Sequence, residues 1–288
     1  MVQIAAGSKI KIRTVDESDR LDIANLIHFE LRIHRHLGWR LPLDWLSYQP
    51  FYAVELAGQL AGVLACPEDP MDVAWVRLFC ASSEVPTYEA WELLWEKVLD
   101  FYAGKSITVA AMPMNGWFEK VLVRSAFRQV NEVVMLIRPQ QFSFPHCESQ
   151  YAIKIRPMQR EDLGDVFRVD ANAFGHIWRN SLDALQIAFN QAAYSTVAES
   201  DGEIIGYQIS TLSPTGGHLA RLAVIPDLQL KGIGSALVRD LLENFQHRGV
   251  PHVTVNTQID NVASLTLYEK CGFVRSGEQY PVYVFETS

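Results

Sequence analysis

Cysteine is scarce in this chain and never clustered. Cys66, Cys80, Cys147 and Cys271 form no CxxC pair, which argues against a zinc ribbon or a disulfide framework and leaves buried free thiols as the expectation. Basic residues are outnumbered, 25 Lys and Arg against 33 Asp and Glu, for a net charge of −8. Such a surface repels phosphate, so no nucleic-acid partner is expected. No apolar run reaches the roughly 18 residues of a membrane span, and the opening "MVQIAAGSKIKIRT" lacks the apolar core and cleavage pattern of a secretory signal. A cytoplasmic protein with no membrane partner is therefore expected. His28, His34 and His36 have no carboxylate or cysteine at ligand spacing. Their segment reads as a solvated basic helix face, and no metal is expected.

What the chain has in quantity is apolar residues, 49% over 288 positions, enough to bury two cores. It also repeats itself. "KIRTVDESDRLDIANLI" from Lys11 resembles "KIRPMQREDLGDVFRVD" from Lys154, and "YAVELAGQLAGVLA" from Tyr52 resembles "YSTVAESDGEIIGYQIS" from Tyr194. "WVRLFCA" and "LARLAVI" align on Arg77 and Arg221, and two later segments align on Phe127 and Phe273, all in the same order at spacings of 142 to 146 residues. Four ordered matches imply a duplication. The Pro, Gln and Ser-rich stretch Arg138 to Gln150 reads as the linker, giving domains 1–145 and 151–288. Each half alternates strands and helices, an α/β fold with a mixed sheet flanked by helices. In the first, Trp91, Leu94, Trp95, Val98 and Phe101 recur at helical spacing as core. In the second, the apolar stripe from Ile233 to Phe245 predicts a helix stopped by Gly249 and Pro251.

That helix begins at "LQLKGIGSALV", where Gly232 and Gly234 bare the backbone. A helix N-terminus offers unpaired N–H groups and a positive dipole end, so a side-chain-free loop there can wrap a phosphate. A Walker A loop fails because the lysine precedes the glycines. A dinucleotide fingerprint fails because Leu237 takes the third glycine's place and the next strand, "PHVTVNT", carries no acid. The remaining pattern is Q-x-x-G-x-G between a strand and a long helix, the pyrophosphate loop of an acyl-coenzyme A site.

"LAVIPDLQLKGIGSALV" together with "NVASLTLYEKCGF" resembles the GNAT superfamily of acyl-CoA-dependent N-acyltransferases, on Gln229, Gly232 and Gly234 in the first segment and Asn261, Ala263, Tyr268, Gly272 and Phe273 in the second. The resemblance is close from about Ile153 to Phe285 and architectural before that. It implies two tandem GNAT-like domains, each a mixed, mostly antiparallel sheet flanked by helices. It further implies that Leu222, Ala223 and Val224 run along the pantetheine arm of acetyl-CoA as an added strand would, and that Gln229, Leu230, Lys231, Gly232, Ile233, Gly234 and Ser235 surround the pyrophosphate. Asn261 is expected to bond the arm or its neighbouring backbone, and Tyr268 to lie near the sulfur. The first half has Pro86, Glu84 and Glu89 where the glycines would be and Leu122 where Tyr268 would be, so it reads as a degenerate copy that holds no cofactor.

The implied reaction moves an acetyl group to a primary amine, on a small molecule or a peptide N-terminus, by direct attack. Tyr268 reads either as a core tyrosine or as the acid that protonates the thiolate; the resemblance implies the acid. For the base, the family's glutamate positions hold His218 and Asn256. His218 titrates near neutrality and, four residues before Leu222, is expected on the same strand face, while Asn256 can orient water. A water chain serves equally as base. Phe174, His176 and Trp178 lie where relatives contact substrate, in a segment similar to ribosomal-protein N-terminal acetyltransferases; Phe174 and Trp178, four apart, read equally as core. Tandem relatives with one active half include those that make mycothiol. The alternative is a non-catalytic acyl-CoA sensor.

Overall fold

The computed structural model describes residues 10–139 and 152–287; Cys147 and most of the expected linker lie outside them. In chain order the elements are β1 (Ile10–Thr14), α1 (Arg20–Phe29), β2 (Ile33–Arg35), β3 (Phe51–Leu56), β4 (Gln59–Ala65), β5 (Val73–Trp75), β6 (Leu78–Ala81), α2 (Thr87–Phe101), β7 (Thr108–Ala111), α3 (Gly116–Arg124) and β8 (Arg128–Pro139). They continue as β9 (Lys154–Pro157), α4 (Leu163–Ala173), α5 (Leu182–Gln191), β10 (Tyr194–Ser200), β11 (Glu203–Ser213), β12 (Gly216–Val224), α6 (Ile233–His247), β13 (His252–Gln258), α7 (Val262–Lys270) and β14 (Val274–Glu286).

The compact units differ from the sequence halves at their ends. One comprises Met1–Val130 with Pro281–Ser288, the other Asn131–Tyr280. Strand β8 pairs antiparallel with β13, His252 opposite Pro139 through Gln258 opposite Val133, so Arg138 and Pro139 extend a strand and do not begin a linker. The end of β14 pairs with β7. Each unit thus completes a sheet with a strand from the other half of the sequence, which moves the division from near residue 145 to 130 and 281.

The duplication reaches side-chain geometry. Arg13 forks onto Asp19 at 2.7 and 2.6 Å and reaches Glu55 at 2.5 Å. Arg156 forks onto Asp162 at 2.7 and 2.9 Å and reaches Glu199 at 2.8 Å. The guanidiniums hold both aspartate carboxyls below the ordinary range. Both hairpins turn on two left-handed residues, Ala57-Gly58 and Asp201-Gly202, which match strand twist. Sheet register corrects the sequence matches. Val54 opposes Gly62 as Ala198 opposes Gly206, so Tyr52 corresponds to Thr196. Cys80 opposes Val63 as Ala223 opposes Tyr207, so Leu78, not Arg77, corresponds to Arg221.

In the first unit α1 and α2 cover opposite faces of the sheet ordered β1-β3-β4-β6-β2. Trp91, Leu94, Trp95 and Val98 are core as expected, but Phe101 in the last turn of α2 is 39% exposed. Of the histidine segment only His28, exposed in the last turn of α1, lies on a solvated helix face; His34 and His36 do not. The chain leaves α1 at Glu30 in extended conformation, and β2 pairs with β6, Ile33 opposite Cys80 and His34 opposite Phe79. His34 is buried, stacks on Phe118 at 4.1 Å and bonds the Val76 carbonyl at 3.0 Å; burial lowers its pKa to about 4. A histidine with a depressed native pKa contributes stability that is present above its unfolded value near 6.5 and lost as pH falls through 4. Unfolding measured between pH 7 and 4 is expected to show a loss of roughly 3 kcal/mol that His34→Gln removes.

The second unit's sheet runs β8-β13-β12-β11-β10-β9. Helix α6 packs against it through Ile233, Leu237, Val238, Leu241, Leu242 and Phe245, and ends where Gly249 (φ +71) bonds Gln246 and Val250 bonds Phe245, the glycine-capped stop expected. Cys66, Cys80 and Cys271 are buried free thiols.

Candidate active site

Strands β12 and β13 are parallel neighbours over three residue pairs only, Gly217–Val253, His218–Thr254 and Leu219–Val255. Beyond these, β12 continues to Val224 and β13 to Gln258. Among the described residues the β13-facing edge of Ala220 to Val224 therefore has no strand partner, while the other edge of Arg221 to Val224 stays paired to β11. A wedge opens between the strands.

The wedge leads to the start of α6. Gln229 donates to the Val224 carbonyl at 3.0 Å and fixes the turn. Leu230 (φ +62) and Gly232 (φ +90) are left-handed, and Gly232 caps the helix with no side chain and no acid in the first turn. Among the described residues no backbone acceptor meets the amides of Ile233, Gly234 and Ser235; the first helical bond is Ala236 to Gly232. The two glycines act differently. Gly232 has a φ that side chains disfavour, whereas a Cβ on Gly234 would stand 3.2 Å from Leu267 of α7. Leu230 is exposed, and Lys231, Ile233 and Ser235 complete the loop. These residues fit a diphosphate cradle of main-chain donors.

A β-bulge separates the expected catalytic residues. Register along β12 slips at Ala220, with Arg221 opposite Ile209 and Leu219 opposite Ser210. Leu219 and Leu222 both pack toward α6, as a Cβ on Gly217 would, 2.4 Å from Phe245. His218 points the other way, so it does not share the face of Leu222: the bulge inverts the alternation. Its Nδ1 lies 2.9 Å from the Thr254 hydroxyl, which also reaches the Gly217 carbonyl at 3.3 Å. With that hydroxyl proton directed at Gly217, His218 donates from Nδ1 and keeps a lone pair on Nε2. Burial lowers its pKa. Asn256, exposed, shares the strand face of Thr254.

Tyr268 lies in the core cluster on the opposite face, with Leu219, Val255 and Phe273, its ring 5.6 Å from that of Phe273. Burial raises its pKa. Asn261 caps α7, its Oδ1 accepting from Ser264 N at 3.1 Å.

The segment containing Phe174, His176 and Trp178 is fastened to the His218 face by residues that sequence reading gave no role. Asp170, fully buried in α4, accepts from Arg221 Nε at 2.8 Å, from Asn180 N at 2.9 Å and from the Tyr207 hydroxyl. Arg221 donates to the Trp178 carbonyl at 2.7 Å and its guanidinium lies 3.5 Å over Phe174. His176 is exposed and accepts from Arg179 at 2.7 Å. The available signal was a charge of each sign in apolar patterns, "DVFRVD" and "LARLAVI". Among the described residues no group of His, Cys, Asp and Glu could hold a metal.

In the first unit the corresponding place is filled. β6 turns its outer edge to β2, so that Ile33 to Arg35 lie along the residues that correspond to Arg221 to Ala223. Pro86 replaces the glycine cap of the following helix.

Residues 161–273 match the acetyltransferase (GNAT) family. The chain is 25% identical over 202 residues to a mycothiol acetyltransferase of Nocardioides sp., covering 59% of this chain and 68% of that one. It is 24% identical over 119 residues to the ribosomal protein bS18-alanine N-acetyltransferase of Escherichia coli, covering 41% and 79%. A tandem GNAT protein from the clavulanic acid biosynthesis pathway superposes with a TM-score of 0.65 at 12% identity, covering 97% of this chain and 99% of that one. Residues 161–273 thus carry the acetyltransferase (GNAT) family match, within a chain that has the fold of tandem GNAT proteins.

Proposed function

We propose that the second unit is an acetyl-CoA-dependent N-acetyltransferase acting on a primary amine, on a small molecule or a peptide N-terminus. The observation that carries this reading is the unpaired edge of β12 leading to a helix start with free amides, an extended slot ending in an anion cradle. The first unit supports it from within the chain, because there the same edge is taken by an extended strand. Leu222, Ala223 and Val224 would bond the pantetheine arm, with Asn261 beside it. Leu230 to Ser235 would take the diphosphate, with Gln229 holding the turn. Acetyl-CoA, when bound, supplies an activated acetyl thioester.

The chain's residues divide the proton work between the two sheet faces. A neutral His218 with Nε2 unprotonated, or water ordered by Asn256, accepts the proton of the ammonium. Tyr268, kept protonated by its raised pKa, holds the proton a departing thiolate needs. Phe174, His176 and Trp178 shape the acceptor's approach. An α-amine with pKa near 8 asks less of a weak base than a lysine near 10.4, and a net negative protein attracts a cationic amine. The first unit, with β2 along its β6 edge and Pro86 at its helix start, serves as a copy that holds no acetyl-CoA. Buried free thiols accord with a reducing cytoplasm. Thiol release from acetyl-CoA, measured across small amines and peptides with free N-termini, tests the reading: amine-dependent release is expected. Binding of acetyl-CoA with no release for any amine would favour a sensor.

A further inference from the structure

Among the described residues the side chain of His218 has a single side-chain partner, the Thr254 hydroxyl, 2.9 Å from Nδ1. That hydroxyl also donates toward the Gly217 carbonyl, 3.3 Å away. Nε2 has no hydrogen bond of its own to a described side chain and is not enclosed. The sheet fixes all three groups. Gly217 and His218 of β12 and Thr254 of β13 belong to the short parallel ladder between those strands, and on its other side Thr254 pairs with Ile137 of β8. The hydroxyl is therefore carried by an inner strand, at the last register positions before the wedge opens.

A hydroxyl has one proton, and a carbonyl can only accept. Were Oγ1 to give that proton to Nδ1, the Gly217 carbonyl would lose its bond to Thr254 and the ring would carry its own proton on Nε2. Given instead to Gly217, the same proton leaves Oγ1 free to accept from Nδ1–H, and two hydrogen bonds form in place of one. The ring then keeps its lone pair on Nε2, and burial holds it neutral. When Nε2 takes a proton, Nδ1–H stays donated to Oγ1 with the Gly217 carbonyl behind it. We infer that Thr254 is a positioning residue for acetyl transfer: its hydroxyl, aligned by the Gly217 carbonyl, fixes the tautomer of His218 and so makes Nε2 the base. A histidine base needs a third group to set its tautomer; here a hydroxyl and a main-chain carbonyl supply it. This selects the imidazole over a water ordered by Asn256. The catalytic half of the inference rests on the acetyl-transfer reading of the second unit; the tautomer does not.

The test pairs a spectrum with a rate. Long-range proton–nitrogen correlation spectra of the isotope-labelled full chain at neutral pH report which ring nitrogen carries the proton, the His218 signals being those lost in His218→Gln. The wild type is expected to be protonated on Nδ1. Thr254→Val, which keeps the side chain's shape and suits a strand, should move the proton to Nε2, and Thr254→Ser should restore the wild-type pattern. Amine-dependent thiol release should follow the tautomer: kcat/KM about tenfold lower or more in Thr254→Val and within about threefold of wild type in Thr254→Ser, with acetyl-CoA affinity unchanged in both. A wild-type ring protonated on Nε2, or a Thr254→Val protein with the wild-type tautomer or the wild-type rate, would overturn the inference while leaving the transferase reading in place. Wild-type rates in His218→Gln would instead remove the histidine base itself, and the positioning role of Thr254 with it.

Discussion

Tyr268→Phe is expected to lower kcat by about 100-fold or more while leaving the affinity for acetyl-CoA within a factor of two, the size of effect general acid catalysis supplies. The ring is buried against Phe273 and core residues around Val255, so removing the hydroxyl leaves packing intact and the protein should unfold at an unchanged temperature. A raised pKa has a definite sign here. It keeps the hydroxyl protonated throughout the neutral range, which suits an acid and excludes a tyrosinate base. Measured by steady-state rates beside calorimetric titration, the variant separates chemistry from binding: equal kcat with equal affinity would remove Tyr268 from the mechanism and leave a water as the acid.

The second large effect falls on the Asp170 network. Asp170 is fully buried and meets three donors, one of them the Arg221 guanidinium. Asp170→Ala leaves that guanidinium, the Tyr207 hydroxyl and the Asn180 amide without their acceptor. Truncating one partner of a buried ion pair costs about 3–5 kcal/mol, a large share of a domain's stability. Thermal or denaturant unfolding is expected to show this loss. Because the network fastens the segment from Phe174 to Asn180, any folded fraction should bind acetyl-CoA normally yet require more amine for half-maximal rate. Replacing Asp170 with Asn retains an acceptor and should recover part of the stability.

Much of the fold was legible because it is written in local patterns. The two hairpins follow from glycine turns between alternating strands, and α6 follows from its apolar stripe, its bare glycine start and its Gly249 stop. The glycine loop is legible for the same reason: Gly232 and Gly234 mark backbone demands that few other residues meet. What escaped is non-local. The short strand Ile33–Arg35 has no propensity of its own beside a helical pattern, and only its pairing with β6 buries His34. The bulge at Ala220 leaves no mark in the sequence, yet it turns His218 away from the face of Leu222. Neither Asp170 nor Arg221 signals its role alone; each becomes legible only when α4 packs on β12. The exchange of β8 and the end of β14 likewise depends on pairings more than a hundred residues apart.

The central claim is that main-chain donors at the start of α6, reached along the open edge of β12, hold the diphosphate of acetyl-CoA. Calorimetric titration of acetyl-CoA into the wild type and Gly234→Leu, with folding of the variant checked by circular dichroism, addresses it most directly. The account predicts saturable binding to the wild type and affinity at least tenfold weaker in the variant, a change of about 1.4 kcal/mol or more. Equal affinity in a folded Gly234→Leu protein would contradict it.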